Sequence, residues 1–236
     1  HLDAVLRERS GGKVAVCLAG GGIEGLLYEV GVLRALDTFL VNRRVEDLDL
    51  FCGISAGAVI GAFLANGLGP EEIAQAFGDG TPRVDPIRKS DLFDLNVHGL
   101  GRSARALFAQ TLGGTLRGEE GTRGPLSALA RSVPVGAFRG KALGEYLRRH
   151  LEKPGMSNRF SELRRPLLIG ATDMDTSEAV VFGRAPHADV PVHQAVRASA
   201  ALVPFYAPER IAGRYYIDGA FTRTTNMRVA VEEGAT

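Results

Sequence analysis

A serine held between two glycines, where a mostly apolar strand gives way to a small-residue helix, constrains this chain more than any other feature. The stretch is Gly53-Ile54-Ser55-Ala56-Gly57. Residues 48–52 before it read as a buried strand, and residues 56–65 after it, rich in Ala and Gly, read as a helix. A G-x-S-x-G segment in that context is a tight turn that pushes the serine side chain out at the carboxyl end of the strand. Small neighbours let a reacting group come close, and a helix starting at Ala56 sets its positive end under Ser55. A plain turn with an incidental serine fits the same letters, so the rest of the chain has to decide.

A second glycine cluster lies upstream. Gly20-Gly21-Gly22-Ile23-Glu24-Gly25 follows an apolar run at 14–19 and opens a helix whose apolar stripe is Leu26, Val30, Leu33, Leu36 and Leu40. Such a loop brings backbone N–H groups to a helix N-terminus, where they can hold a phosphate or a developing oxyanion. Gly20, Gly22 and Gly25 also satisfy the dinucleotide pattern G-x-G-x-x-G. That rival needs an acid at the end of the next strand to hold a ribose, and Gly53-Ile54-Ser55 stands there instead.

Strand, helix, strand, helix in the first 65 residues implies a right-handed βαβ unit and a parallel sheet. Pro70, Glu71 and Glu72 open a third helix, where proline and acids are favoured. Further on, 141–151 and 190–201 read as helices, and 167–171, 179–182 and 214–217 as strands. The fold class is α/β with helices on both faces of the sheet, a single domain over 13–236. The segment 78–140, broken by Gly-Gly and Arg-Gly pairs, is expected to be an insert or helical lid. Within it Leu92, Phe93, Leu95, Val97 and Leu100 are flanked by Arg88, Lys89, Arg102 and Arg105, which suits peripheral contact with an anionic lipid surface. An ordinary packed insert with a solvated charged face fits the same residues. Residues 229–236 look like a helix leading into a further strand, so the native chain is expected to continue past Thr236.

Composition narrows the partners. A formal net charge of +1 with 23% charged residues gives no polyelectrolyte signal for nucleic acid. No apolar run reaches the ~20 residues of a membrane span, so a cytoplasmic or peripheral membrane setting is expected. Cys17 and Cys52 sit in strand-like runs and read as buried thiols, not as a disulfide framework. His1, His98, His150, His187 and His193 show no metal-ligand spacing, and no metal or cofactor is expected.

Near the end, Ala198-Ser199-Ala200-Ala201 with Pro204 precedes Asp218-Gly219-Ala220. Taken with the glycine loop and the serine turn, these segments make the chain resemble the patatin-like phospholipase family, from about residue 13 to 234. The resemblance implies a three-layer α/β/α fold with a mainly parallel sheet. It implies Ser55 as nucleophile, Asp218 as its base, and Gly20, Gly21, Gly22 and Ile23 as the oxyanion hole, with Gly53 and Gly57 shaping the turn. The implied chemistry is hydrolysis of phospholipid or other lipid acyl esters through an acyl-enzyme. The chain departs from the family at Glu24, where many relatives carry Arg or Lys, in a segment after Ala201 that is one residue longer, and at Thr224-Thr225-Asn226-Met227, where relatives show Asn-Pro. Two other readings remain. An α/β-hydrolase would pair Ser55 with Asp173 or Asp175 and His187 or His193. A binding protein would use the same fold without catalysis.

Overall fold

The computed structural model describes residues 12–94 and 138–236. A six-stranded sheet organises them. Strand β1 (Ala15–Leu18) leads through the glycine loop into helix α1 (Gly22–Phe39). Strand β2 (Leu50–Ile54) turns at Ser55 into α2 (Ala56–Ala65), followed by α3 (Pro70–Ala76) and the short α4 (Lys89–Leu92). Helix α5 (Lys141–Leu151) precedes β3 (Leu167–Asp173) and β4 (Ala179–Phe182). Then come α6 (Val192–Ser199), β5 (Glu209–Ile211), β6 (Arg214–Asp218) and α7 (Met227–Glu232).

The sheet is mixed. Strands β1, β2 and β3 run parallel, whereas β4 and β6 each pair antiparallel with β3, and β5 pairs antiparallel with β6. The α/β class stands, and the antiparallel half has a local cause. Ile211 and Arg214 are paired across only Ala212 and Gly213, whose φ values of 49° and 86° make a tight hairpin turn. The sequence reading missed β5, whose three residues Glu209, Arg210 and Ile211 carry too short a pattern to register as a strand.

Alternation along the strands builds two faces. Phe51 and Ile169 join the larger core with Leu26, Val30 and Leu33 of α1, Leu147 of α5 and Val196 of α6. Leu50, Cys52, Leu168 and Val181 face the other way, under Val229 and Ala230 of α7. All ten residues of α2 are buried. A helix so hydrophobic on every side belongs inside a core, and its small residues let it approach β1 closely. Cys17 and Cys52 are register partners on adjacent strands and both are free thiols. Cys52 is buried as expected, whereas Cys17 is only partly so. After α7 the chain turns beside residue 13, with Ala235 bridging Lys13 in parallel and Thr236 N–H donating to its carbonyl at 3.2 Å.

Helix α1 is tied to the end of β1 by one carboxylate. Glu29 accepts the Ala19 N–H at 2.6 Å through Oε1, while Oε2 is buried with no partner among the described residues. Burial, only partly offset by that hydrogen bond, pushes Glu29 up to about 7 from an ordinary 4.5. The folded state therefore keeps a proton that the unfolded chain releases. The contribution is complete below about 4.5 and is lost as the pH rises through about 7. Glu29→Gln keeps an acceptor for Ala19 and carries no charge. It is expected to gain roughly 1–2 kcal/mol over wild type at pH 8–9, after discounting for the half-exposed setting, and nothing near pH 4. Urea melts at the two pH values check this, and a pH-independent difference would contradict it.

Candidate active site

The meeting of Ser55 and Asp218 follows from strand register. Along β3, Gly170 is the partner of Ile54 and Ala171 the partner of Asp218. Ile169 and Gly170 also pair with β4, as do Ala171 and Thr172. Strands β2 and β6 therefore lie on the same edge of β3, opposite β4. One runs parallel and the other antiparallel, so their carboxyl ends approach head to head. Ser55, one residue past the end of β2, faces Asp218, the last residue of β6.

The turn at Ser55 is sharp. Its φ of 52° and ψ of −117° lie where residues with side chains seldom go. Such strain persists only where the surroundings over-determine it, and here they do. The Ser55 N–H donates to Ser199 Oγ at 2.8 Å, and that hydroxyl donates to the Gly170 carbonyl at 2.6 Å. Ser199 is completely buried and fills the seam where β3 changes partner from β2 to β6. The Gly57 N–H donates to the Ala19 carbonyl at 3.1 Å, fastening the turn to the glycine loop. A Cβ on Gly57 would sit 2.6 Å from the Leu18 backbone, and one on Gly53 would sit 2.5 Å from the Gly57 carbonyl. These two glycines are thus required by close packing.

Asp218 is 1% exposed. One carboxyl oxygen accepts the Ala220 N–H at 2.8 Å, and the Ser55 side chain lies close enough to act on the carboxyl. Burial raises it above the ordinary carboxylate range, against the opposing pull of the Ala220 N–H and the Ser55 side chain. Its backbone is fixed as well: Asp218 N–H donates to the Ala201 carbonyl at 3.0 Å, and the Thr172 hydroxyl donates to the Asp218 carbonyl at 3.0 Å.

The glycine loop borders the same place. The position of a Cβ on Gly20 would be 3.4 Å from the Ser55 Cβ. Gly22 has a φ of 61° and begins α1, so the first N–H groups of the helix lack intrahelical acceptors there. Ile23 and Gly22 line a cavity of about 120 Å³ that also touches Ser55, well above the ~10–15 Å³ that one water needs. Leu26, Val59, Leu143 and Leu202 give it apolar walls. Leu92 turns into this cavity, not outward as the surface reading expected. Phe93 is 42% exposed and stands 5.3 Å from the Phe138 ring. Arg88 and Lys89 are exposed. Leu95, Val97, Leu100, Arg102 and Arg105 lie outside the described residues.

The candidates for a serine–histidine triad are engaged elsewhere. Asp173 is bound to Arg214 at 2.7 Å and caps the turn at Asp175 and Thr176. The His193 ring lies 2.8 Å from the Asn158 side chain, and His187 packs on Phe182 and Tyr216. His150 is buried between the Tyr146 carbonyl and Asp85. Among the described residues no three His, Cys, Asp or Glu side chains gather as a metal-ligating group. Sequence reading did not assign a role to Ser199 or Glu29. Ser199 stood inside a motif that had been singled out, but its bonds span 144 and 29 residues, which no local pattern encodes.

A curated relative, the cUMP-AMP-activated phospholipase of Escherichia coli, is 33% identical over 75 residues, covering 32% of this chain and 23% of the relative. VipD from Legionella pneumophila aligns over 88% of this chain and 46% of its own, at 20% identity and a TM-score of 0.44. Full-length ExoU of Pseudomonas aeruginosa, solved with SpcU, aligns over 80% of this chain and 38% of its own, at 18% identity and a TM-score of 0.42. The chain thus spans less than half the length of each. The description "Patatin-like phospholipase" matches residues 16–231, from β1 into α7 and through every element that shapes the site. This chain belongs to the patatin-like phospholipase family.

Proposed function

We propose that the chain hydrolyses lipid acyl esters with Ser55 as nucleophile and Asp218 as its direct base. The observation that carries this reading is the buried Asp218 carboxyl beside the Ser55 side chain, at the point where β2 and β6 meet on one edge of β3. A serine hydroxyl is a poor nucleophile until a base takes its proton. A carboxylate is an ordinary base only if its pKa is lifted, and burial supplies the lift.

As Ser55 Oγ attacks the ester carbonyl, its proton passes to Asp218 and negative charge grows on the carbonyl oxygen. The N–H groups of Gly20, Gly21, Gly22 and Ile23, in the glycine loop and the first turn of α1, are assigned as the donors to that charge. Each preorganised donor in such a hole contributes about 3–4 kcal/mol. Asp218 then gives the proton to the departing alcohol. Water enters, loses a proton to Asp218 and releases the acid from Ser55. Glu24 is exposed at the loop and takes no part in these steps. The apolar cavity beside Ser55 favours a lipid substrate over a polar ester.

Ser55→Ala and Asp218→Asn are each expected to lower kcat on a lipid ester by at least ~10³-fold, with circular dichroism unchanged. Asn keeps the size of Asp218 but cannot accept the proton. Retention of more than about a tenth of wild-type turnover in either variant would contradict the assignment. The acid limb of kcat/KM should fall above the ordinary carboxylate range, because Asp218 must be ionised to act and its pKa is raised. It should not move in His187→Ala or His193→Ala.

Ser199→Ala removes the bond to the Ser55 N–H and strips the Gly170 carbonyl of its partner. The expected cost is about 1–3 kcal/mol of stability and a rate loss of about 10–100-fold from a misplaced nucleophile. Kinetics below the melting transition separate the two, and unaltered kcat would show that Ser199 does not position Ser55.

A further inference from the structure

Cys17 and Cys52 take no part in the site described above, yet they stand three residues before Gly20 and Ser55 respectively. They are register partners in the parallel pair of β1 and β2, so they share one rung of the ladder. Register partners point to the same face of a sheet. Both cysteines accordingly pack in one apolar cluster, with Val229 and Ala230 of α7. Both are free thiols.

The two differ in setting. Cys52 is completely buried, whereas Cys17 is partly exposed on β1, the end strand of the described sheet. The neighbouring Cys52 holds the Cys17 thiol below the ordinary thiol range, while Cys17 and burial together push Cys52 above it. The thiolate is the form that attacks an electrophile. Cys17 is therefore both the reachable thiol and the one more readily ionised, with Cys52 beside it. An accessible thiolate next to a resolving thiol is how redox-responsive cysteines are arranged.

The spacing permits a bond between them. Paired strands run about 4.7–4.9 Å apart, within the roughly 4.4–6.8 Å that the Cα atoms of a disulfide span. The bond draws the Cβ atoms to about 3.8 Å, so β1 and β2 must close by about 1 Å at this rung. The next rung has no room to absorb that movement. Leu18 pairs with Gly53 there, and a Cβ on Gly57 would sit 2.6 Å from the Leu18 backbone. Beyond it, the Gly57 N–H is bonded to the Ala19 carbonyl. Closure at Cys17 is thus passed on to the glycine loop and to the turn that carries Ser55.

We propose that Cys17 and Cys52 form a peroxide-responsive dithiol, whose oxidation to a disulfide ties β1 to β2 and slows the reaction of Ser55. The effect on Ser55 rests on the nucleophile reading above. In the first step the Cys17 thiolate attacks one oxygen of a hydroperoxide. The S–O bond forms, the O–O bond breaks, and the departing oxygen takes up a proton to leave as an alcohol, or as water from hydrogen peroxide. In the second step the Cys52 sulfur attacks the Cys17 sulfur. The S–S bond forms, the S–O bond breaks, and hydroxide leaves with the Cys52 proton as water. Two thiols and one hydroperoxide give one disulfide, one alcohol and one water; the two electrons lost by the sulfurs reduce the peroxide.

The test treats the native chain with hydrogen peroxide, blocks the remaining thiols with iodoacetamide and maps the peptides by mass. The expected product is a linked Cys17–Cys52 peptide, lighter by two hydrogens than its reduced halves together. The rate of fluorophosphonate labelling at Ser55 should fall about tenfold or more in the oxidised chain. It should return on addition of dithiothreitol, which restores a disulfide but not an oxidised methionine. In Cys17→Ser and, separately, in Cys52→Ala, peroxide should leave the labelling rate unchanged, and either variant serves if the other folds poorly.

Absence of the linked peptide at a peroxide concentration that oxidises the methionines overturns the dithiol. So does a link that leaves labelling undiminished, or a peroxide loss in the variants as large as in wild type. If the reduced chain is not labelled at Ser55, the hydrolase reading falls, and the dithiol stands or falls on the linked peptide alone.

Discussion

Everything in this site depends on a change of partner along one strand. On a single edge of β3, Gly170 faces the end of β2 and Ala171 faces the end of β6. A parallel and an antiparallel strand meeting end to end leave a gap in the ladder, with backbone groups that need partners. The Ser199 hydroxyl fills that gap, taking the Ser55 N–H and giving its proton to the Gly170 carbonyl. A serine and an aspartate separated by 163 positions of sequence are thereby held face to face on rigid elements. The proposed two-residue site would tolerate little misplacement, and both residues stand on strand ends beside a buried hydroxyl.

The electrostatics follow from the same burial. Asp218 is buried at the sheet edge, so its charged form is disfavoured and its basicity rises. The Ala220 N–H and the Ser55 side chain keep the rise in check. Glu29 is a second raised carboxyl, bonded to the N–H of Ala19 just before the loop that carries Gly20 to Gly22. The two differ in place: one lies beside Ser55, the other ties α1 to β1. The cavity that Ser55 borders is lined by apolar side chains and by the Arg197–Glu209 pair.

Much of this was legible in the sequence, because its signals are local. The turn at Ser55 needs Gly53 and Gly57 within five residues, and the glycine loop needs a strand before it and a helix after it. Parallel pairing of β1 and β2 followed from the same alternation of elements. Asp218 was different: Asp-Gly alone is a turn signal, and only its company pointed to Ser55. The antiparallel arrival of β6 was not legible, since hairpin direction is fixed by the turn at Ala212 and Gly213 and by the short β5. The roles of Ser199, Glu29 and the Arg197–Glu209 pair were hidden for the same reason. Each depends on which residues the finished sheet brings together. The expected lipid-facing patch is left open: Leu92 lines the cavity, and Leu95, Val97, Leu100, Arg102 and Arg105 fall outside the described residues.

The central claim is that Ser55 is made reactive by Asp218 directly. The most direct measurement is the rate of covalent labelling by a fluorophosphonate, followed by mass mapping of the modified peptide, in wild type and in Asp218→Asn across pH. The account requires a single adduct on Ser55, formed at a rate that rises with pH as Asp218 ionises and that collapses in the Asn variant. An adduct elsewhere, or labelling of Ser55 at an undiminished rate in Asp218→Asn, would contradict it.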